Sequence, residues 1–88
     1  MIKVMFFYKS GDTQSRIEEE FFKTLETLFK ENVTFERIEV DGNQNKVKTY
    51  GVKDVPTIII EKDGKITDRF VGFTQELFLK RAIQRNIN

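Results

Sequence analysis

The run Ile2 to Tyr8 is apolar at nearly every position, the pattern of a strand buried on both faces. Gly11 and Asp12 punctuate it. From about 14 to 30 the apolar residues Ile17, Phe21, Phe22, Leu25, Leu28 and Phe29 recur at helical spacing, which predicts a long amphipathic helix. Two starts are available to it. Ser15 with Glu18 fits a capping box, and Asp12 or Thr13 could cap one turn earlier. Asn32 marks its end. Residues 33–40 place Val33, Phe35, Ile38 and Val40 among polar neighbours and predict a second strand. A strand, a long helix and a strand imply a right-handed βαβ unit with parallel strands.

The second half has a different rhythm. Residues 41–52 suggest a loop and a short helix stopped near Gly51, and 56–61 a third strand with three consecutive isoleucines. Asp63-Gly64 between two strand patterns is a hairpin signal, and 65–73 form the returning strand. Thr74 is expected to cap a last helix with Leu77, Phe78, Ala82 and Ile83 on its buried side. The order is β-α-β-α-β-β-α, an α/β fold. With no repeat, linker or low-complexity stretch, residues 1–88 are expected to form a single domain.

Composition narrows the function. A net charge of +1 supplies no field for nucleic acid or an anionic membrane, so neither partner is expected. Lys46, Lys48, Lys53, Lys80, Arg81 and Arg85 read as charges on solvated faces, and the phenylalanines fall at core spacing rather than among them. No signal-peptide pattern follows Met1, and no run reaches the ~20 apolar residues of a membrane span. A soluble, cytoplasmic protein is the expectation. The chain has no cysteine and no histidine, which removes the usual soft metal ligands and leaves Cys-His and Ser-His nucleophiles unavailable. Neither a metal nor another cofactor is expected.

Residues 41–73 are the most specific stretch. An Asp follows a strand, a short helix ends Tyr50-Gly51-Val52, Val55-Pro56-Thr57 precedes a strand, and a Lys-Asp-Gly hairpin leads to a strand ending Val71-Gly72. In wording and spacing this segment resembles the C-terminal half of the thioredoxin family, and with the first βαβ unit the resemblance covers nearly the whole chain. The family's extra N-terminal strand and helix have no counterpart, which makes the size closer to glutaredoxins and small archaeal redox proteins. The resemblance implies a thioredoxin-like fold, with a central four-stranded mixed sheet and helices on both faces. It also places Pro56 at the family's cis-proline, where the preceding residue turns its N–H and C=O toward an extended peptide or glutathione. Carried over, Val55 would offer those groups. Read locally, Pro56 merely starts a strand.

Aligned on the first strand, the family's Cys-Gly-Pro-Cys falls on Asp12-Thr13-Gln14-Ser15. Thiol–disulfide exchange needs a thiolate attacking sulfur, and neither a carboxylate nor an unactivated hydroxyl can replace it. The family's buried Asp corresponds to Phe6, and its lysine partner to Arg37. The resemblance therefore implies the fold without the redox chemistry, and disulfide oxidoreductase catalysis is not expected. On the local reading, Asp12, Thr13 and Ser15 are the residues a helix N-terminus wants, each cap giving ~1 kcal/mol.

Three functional readings follow. In the first the protein is a redox-inactive module that binds a protein or extended peptide. Its surface would be the former active-site face: residues 9–15, Asp54, Val55, Pro56, Gly72 and Phe73. Phe73 has an equal alternative, as a staple under the last helix. In the second reading the site holds glutathione, with a hydroxyl from Tyr8, Ser10 or Ser15 and with Lys9, Arg37 and Lys53 for the carboxylates. Against it, the large helical domain of glutathione transferases is absent. In the third, the chain is a thiol-free variant of an active oxidoreductase, which Ser15 suits but Asp12 and Phe6 do not. The charges of both signs on Lys65–Phe70 guard that strand against edge pairing, so a monomer is expected.

Overall fold

The computed structural model describes residues 1–88 and contains four strands and three helices. β1 (Ile2–Tyr8) lies inside a mixed sheet of order β2-β1-β3-β4. It pairs in parallel with β2 (Val33–Glu39), from Ile2 opposite Val33 to Tyr8 opposite Glu39. On its other side it runs antiparallel to β3 (Thr57–Lys62), which pairs antiparallel with β4 (Lys65–Val71). The helices are α1 (Thr13–Phe29), α2 (Gln44–Tyr50) and α3 (Glu76–Ile87).

The nearly continuous apolar run of β1 is explained by two cores. Ile2, Val4 and Phe6 face one side, where Phe22, Leu25 and Phe29 of α1 and Leu79, Ala82 and Ile83 of α3 cover them. Met5 and Phe7 face the other, with Ile38, Val52 and Ile59, beneath Val47 and Tyr50 of α2. Helices therefore flank both faces, as the resemblance implied. β2 serves both cores, Val33 belonging to the first and Ile38 to the second. A single 3-10 turn, Val40–Gly42, takes the last residue expected of that strand.

The connections follow the local chemistry. Asp63 and Gly64 both have positive φ, 53° and 83°, the combination a two-residue type I′ hairpin requires. α2 stops at Gly51 in the left-handed region, its N–H returning to the Val47 and Lys48 carbonyls.

Three expectations about the helices are corrected. The buried row of α1 is Ser15, Glu18, Phe22, Leu25 and Phe29, whereas Ile17 and Leu28 are exposed. On α3, Leu77 and Phe78 are exposed and Leu79 joins Ala82 and Ile83 inside. Thr74 does not cap α3: Gln75 holds the N-cap position without a side-chain bond, and the Thr74 hydroxyl donates to the Gly72 carbonyl at 3.2 Å. The first two share a geometric cause. Each helix presents one row to the sheet, and these rows run one position beside the most apolar residues.

Candidate functional site

The β1–α1 junction is built by its caps. Asp12 has extended backbone (φ −78°, ψ 125°), and its Oδ2 accepts the Ser15 N–H at 2.8 Å. Asp12 is thus the cap, and the capping box of Ser15 and Glu18 does not form. Ser15 sits in the first helical turn and is buried, its Oγ accepting the Lys9 N–H at 3.4 Å. Substituting Asp12→Ala is expected to cost about 1 kcal/mol in urea denaturation, whereas Asp12→Asn stays within a few tenths.

Asp12 and Ser15 line a cavity of about 200 Å³ together with Tyr8, Lys9 and Ser10. Thr13 and Gln14 are exposed and line no part of it. The half-buried Tyr8 packs its ring on Phe6 at 5.5 Å. Ser10 is engaged elsewhere, donating to Glu39 Oε2 at 2.5 Å.

The segment before β3 forms the second part of the site. The Val55–Pro56 peptide bond is cis, and Pro56 is buried. The Gly72 N–H donates to the Pro56 carbonyl at 2.8 Å, which holds the β4–α3 loop beside residue 55. Asp54 is exposed, its carbonyl accepting the Thr57 hydroxyl at 2.6 Å. Val55 is half-buried, and neither its N–H nor its C=O enters a backbone hydrogen bond of the chain. It lines a second cavity, of about 310 Å³, with Lys9, Lys53 and residues of α2. Phe73 is half-exposed, its ring 5.7 Å from Phe21 of α1 rather than tucked beneath α3.

Two other residues depart from the sequence reading. Arg37 is not free for a ligand: its guanidinium meets Glu19 at 2.8 Å and Glu26 at 3.0 Å, and lies 4.9 Å from the centre of the Phe22 ring. Glu18, read only as a possible cap, is completely buried on α1. Its Oε1 accepts the Thr74 N–H at 2.7 Å, and its Oε2 has no partner. Burial pushes its pKa up to about 7, partly offset by that backbone bond. Hydrophobic periodicity gave no signal for it, because Glu18 lies between Ser15 and Phe22 in an inner row that leaves Ile17 exposed. Glu18 lines neither cavity.

No group of three or more Asp or Glu side chains is arranged to hold a metal ion. What the face offers is free backbone polar groups, two shallow cavities and the ammonium of Lys9 between them. The positions that carry sulfur in the resembling family hold a helix cap and a buried hydroxyl.

Comparison with known proteins agrees with this fold. The family model described as Thioredoxin matches residues 15–85. The thioredoxin of Chlamydia pneumoniae is 38% identical over 64 residues, covering 70% of this chain and 63% of that protein. That of Bacillus subtilis (strain 168) is 33% identical over 51 residues, covering 58% of this chain and 49% of that protein. The chain thus spans from 49% to 63% of the length of these two curated relatives. Among solved structures, Fasciola hepatica thioredoxin superposes with a TM-score of 0.88 at 30% identity, over 97% of this chain and 80% of that one.

Proposed function

The chain belongs to the thioredoxin family and contains no cysteine, and we propose that it is a redox-inactive member that binds an extended stretch of polypeptide at the face just described. The observation that carries this reading is Val55. Its N–H and C=O are left out of the backbone bonding of the fold, at a position where Gly72 is tied alongside. An added strand uses such groups for affinity and neighbouring pockets for side chains. The two cavities and the half-exposed Phe73 ring supply apolar and polar walls for those side chains. Without a thiol, a bound peptide is held and not reduced. A single domain working as a monomer suffices for this role.

One observation favours glutathione as a second reading. Lys9 and Lys53 line the same cavity as Val55, where two ammonium groups could meet the carboxylates of the tripeptide. Arg37, engaged by Glu19 and Glu26, is not available to help them.

An amide NMR titration separates the two. With a pool of unstructured peptides, saturable shifts are expected at Val55, Gly72 and Phe73. Reduced glutathione is expected to leave these resonances in place. Shifts with glutathione alone, centred on Lys9, Lys53 and Val55, would replace the first reading by the second. Silence with both would remove this face as a binding site.

A further inference from the structure

Glu18 is the only carboxyl enclosed in the core, and it lines none of the four cavities of the fold. The β4–α3 loop meets it there. Residues 72–74 are tied to the rest of the chain by two hydrogen bonds. The Gly72 N–H donates to the Pro56 carbonyl at 2.8 Å, and the Thr74 N–H donates to Glu18 Oε1 at 2.7 Å. The Phe73 ring, 5.7 Å from that of Phe21, adds one contact with α1. The bond from the Thr74 hydroxyl to the Gly72 carbonyl is internal to the loop. A segment held by so few contacts opens at lower cost than the sheet beneath it.

We propose that Glu18 is a proton-operated latch: neutral, it holds the loop of residues 72–74 closed on α1, and ionised, it favours release of that loop into water. The neutral carboxyl keeps Oε1 as the acceptor for Thr74 and can carry its proton on Oε2, the oxygen without a partner. The enclosed carboxylate has that single donor for two charged oxygens. No neighbouring charge relieves it. On this side of the sheet, β1 offers only the Tyr8 phenol, and the inner rows of β3 and α3 offer no titratable group. Arg37 on β2 is bound by two glutamates of α1, Glu39 at the end of β2 accepts from Ser10, and Asp68 on β4 is held by Arg85. Glu76, in the first turn of α3, is a like charge. Burial and the Thr74 N–H alone govern the ionisation of Glu18. Opening the loop hydrates the carboxylate. A proton held up to about 7 in the closed form, against 4.5 in water, must shift the equilibrium toward the open form as pH rises between them, by at most about 300-fold. The loop carries Gly72 and Phe73, so the latch decides whether they stand beside Val55. It is a property of the chain alone and does not rest on the peptide-binding reading.

Amide hydrogen exchange of the full chain from about pH 4.5 to about pH 8 tests the latch, each rate being divided by the intrinsic rate at that pH. Protection at Gly72 and Thr74 is expected to fall by about tenfold or more across this range in the parent protein, and to stay level in Glu18→Gln. Glu18→Met, of similar volume and without a titrating group, serves if the amide variant fails to fold. Gly72 is the decisive probe, because its N–H bonds to Pro56 and not to Glu18. The amides of β1, which exchange by global unfolding, are expected to remain far better protected than either throughout. The proposal is overturned if protection at Gly72 does not change with pH, if the variants reproduce the fall seen in the parent, or if Gly72 and Thr74 exchange no faster than β1.

Discussion

Glu18→Gln is expected to make the protein more stable than its parent at pH 8, by about 3 kcal/mol, and nearly equal to it at pH 4. The carboxyl is fully buried, accepts one backbone N–H from Thr74, and has an oxygen with no partner. Burial raises its pKa from an ordinary 4.5 to about 7 in the folded state. Between those values the folded protein keeps a proton that the unfolded chain has lost. Stability must therefore fall as pH rises through that interval and level off above it. At about 1.4 kcal/mol per pH unit, the interval accounts for the expected difference. No salt bridge reaches Glu18 to relieve the cost of charging it, and Arg37 on the neighbouring strand is turned to Glu19 and Glu26. The side-chain amide introduced by the substitution would keep an acceptor for Thr74 and never ionise. Urea denaturation of both proteins at several pH values measures the effect. Equal pH slopes for the two would show that Glu18 ionises freely in the folded protein.

That carboxyl also shows where the sequence was readable and where it was not. β1, the Asp63-Gly64 hairpin and the stop at Gly51 were legible because each is fixed by chemistry within a few residues. The inner row of α1 was not, because it places Ser15 and Glu18 inside while Ile17 and Leu28 stay out. Hydrophobic periodicity weighs residue type, and here the packing row lies beside the most apolar one. Glu18 is admitted because a distant N–H, that of Thr74, meets it across 56 positions of sequence. Thr74 fails as a helix cap because Gln75 takes the N-cap position and the Thr74 hydroxyl donates to the Gly72 carbonyl. The candidate face was legible as a set of positions, since Asp12, Ser15, Val55, Pro56 and Gly72 follow the family's spacing. The bond from Gly72 to the Pro56 carbonyl is tertiary and has no local signature.

Phe22→Ala is expected to have the largest effect of any single substitution considered, about 3–5 kcal/mol of destabilisation. Phe22 has no exposed surface and belongs to the main core. Its ring lies 5.2 Å from Phe6 on β1 and meets Phe35 on β2 edge to face at 5.3 Å. On its far side lies the Arg37 guanidinium, at 4.9 Å and anchored to α1 by Glu19 and Glu26. Truncation therefore opens a cavity and removes the surface on which that charge rests. For a domain of this size the loss is comparable with the whole stability, and thermal unfolding should move down by at least about 12 °C. Phe22→Leu retains most of the apolar fill and should cost no more than about 2 kcal/mol, part of it the lost cation–π and edge-to-face contacts. Those contacts can be isolated. Combining Phe22→Leu with Arg37→Met should give less than the sum of the two single losses, by about 0.5–1 kcal/mol. Additive losses would mean that the ring and the guanidinium share space without sharing energy. Because α1 carries Asp12 and Ser15 on its first turn, the amide signals of residues 12–15 report whether loosening this anchor also loosens the candidate site.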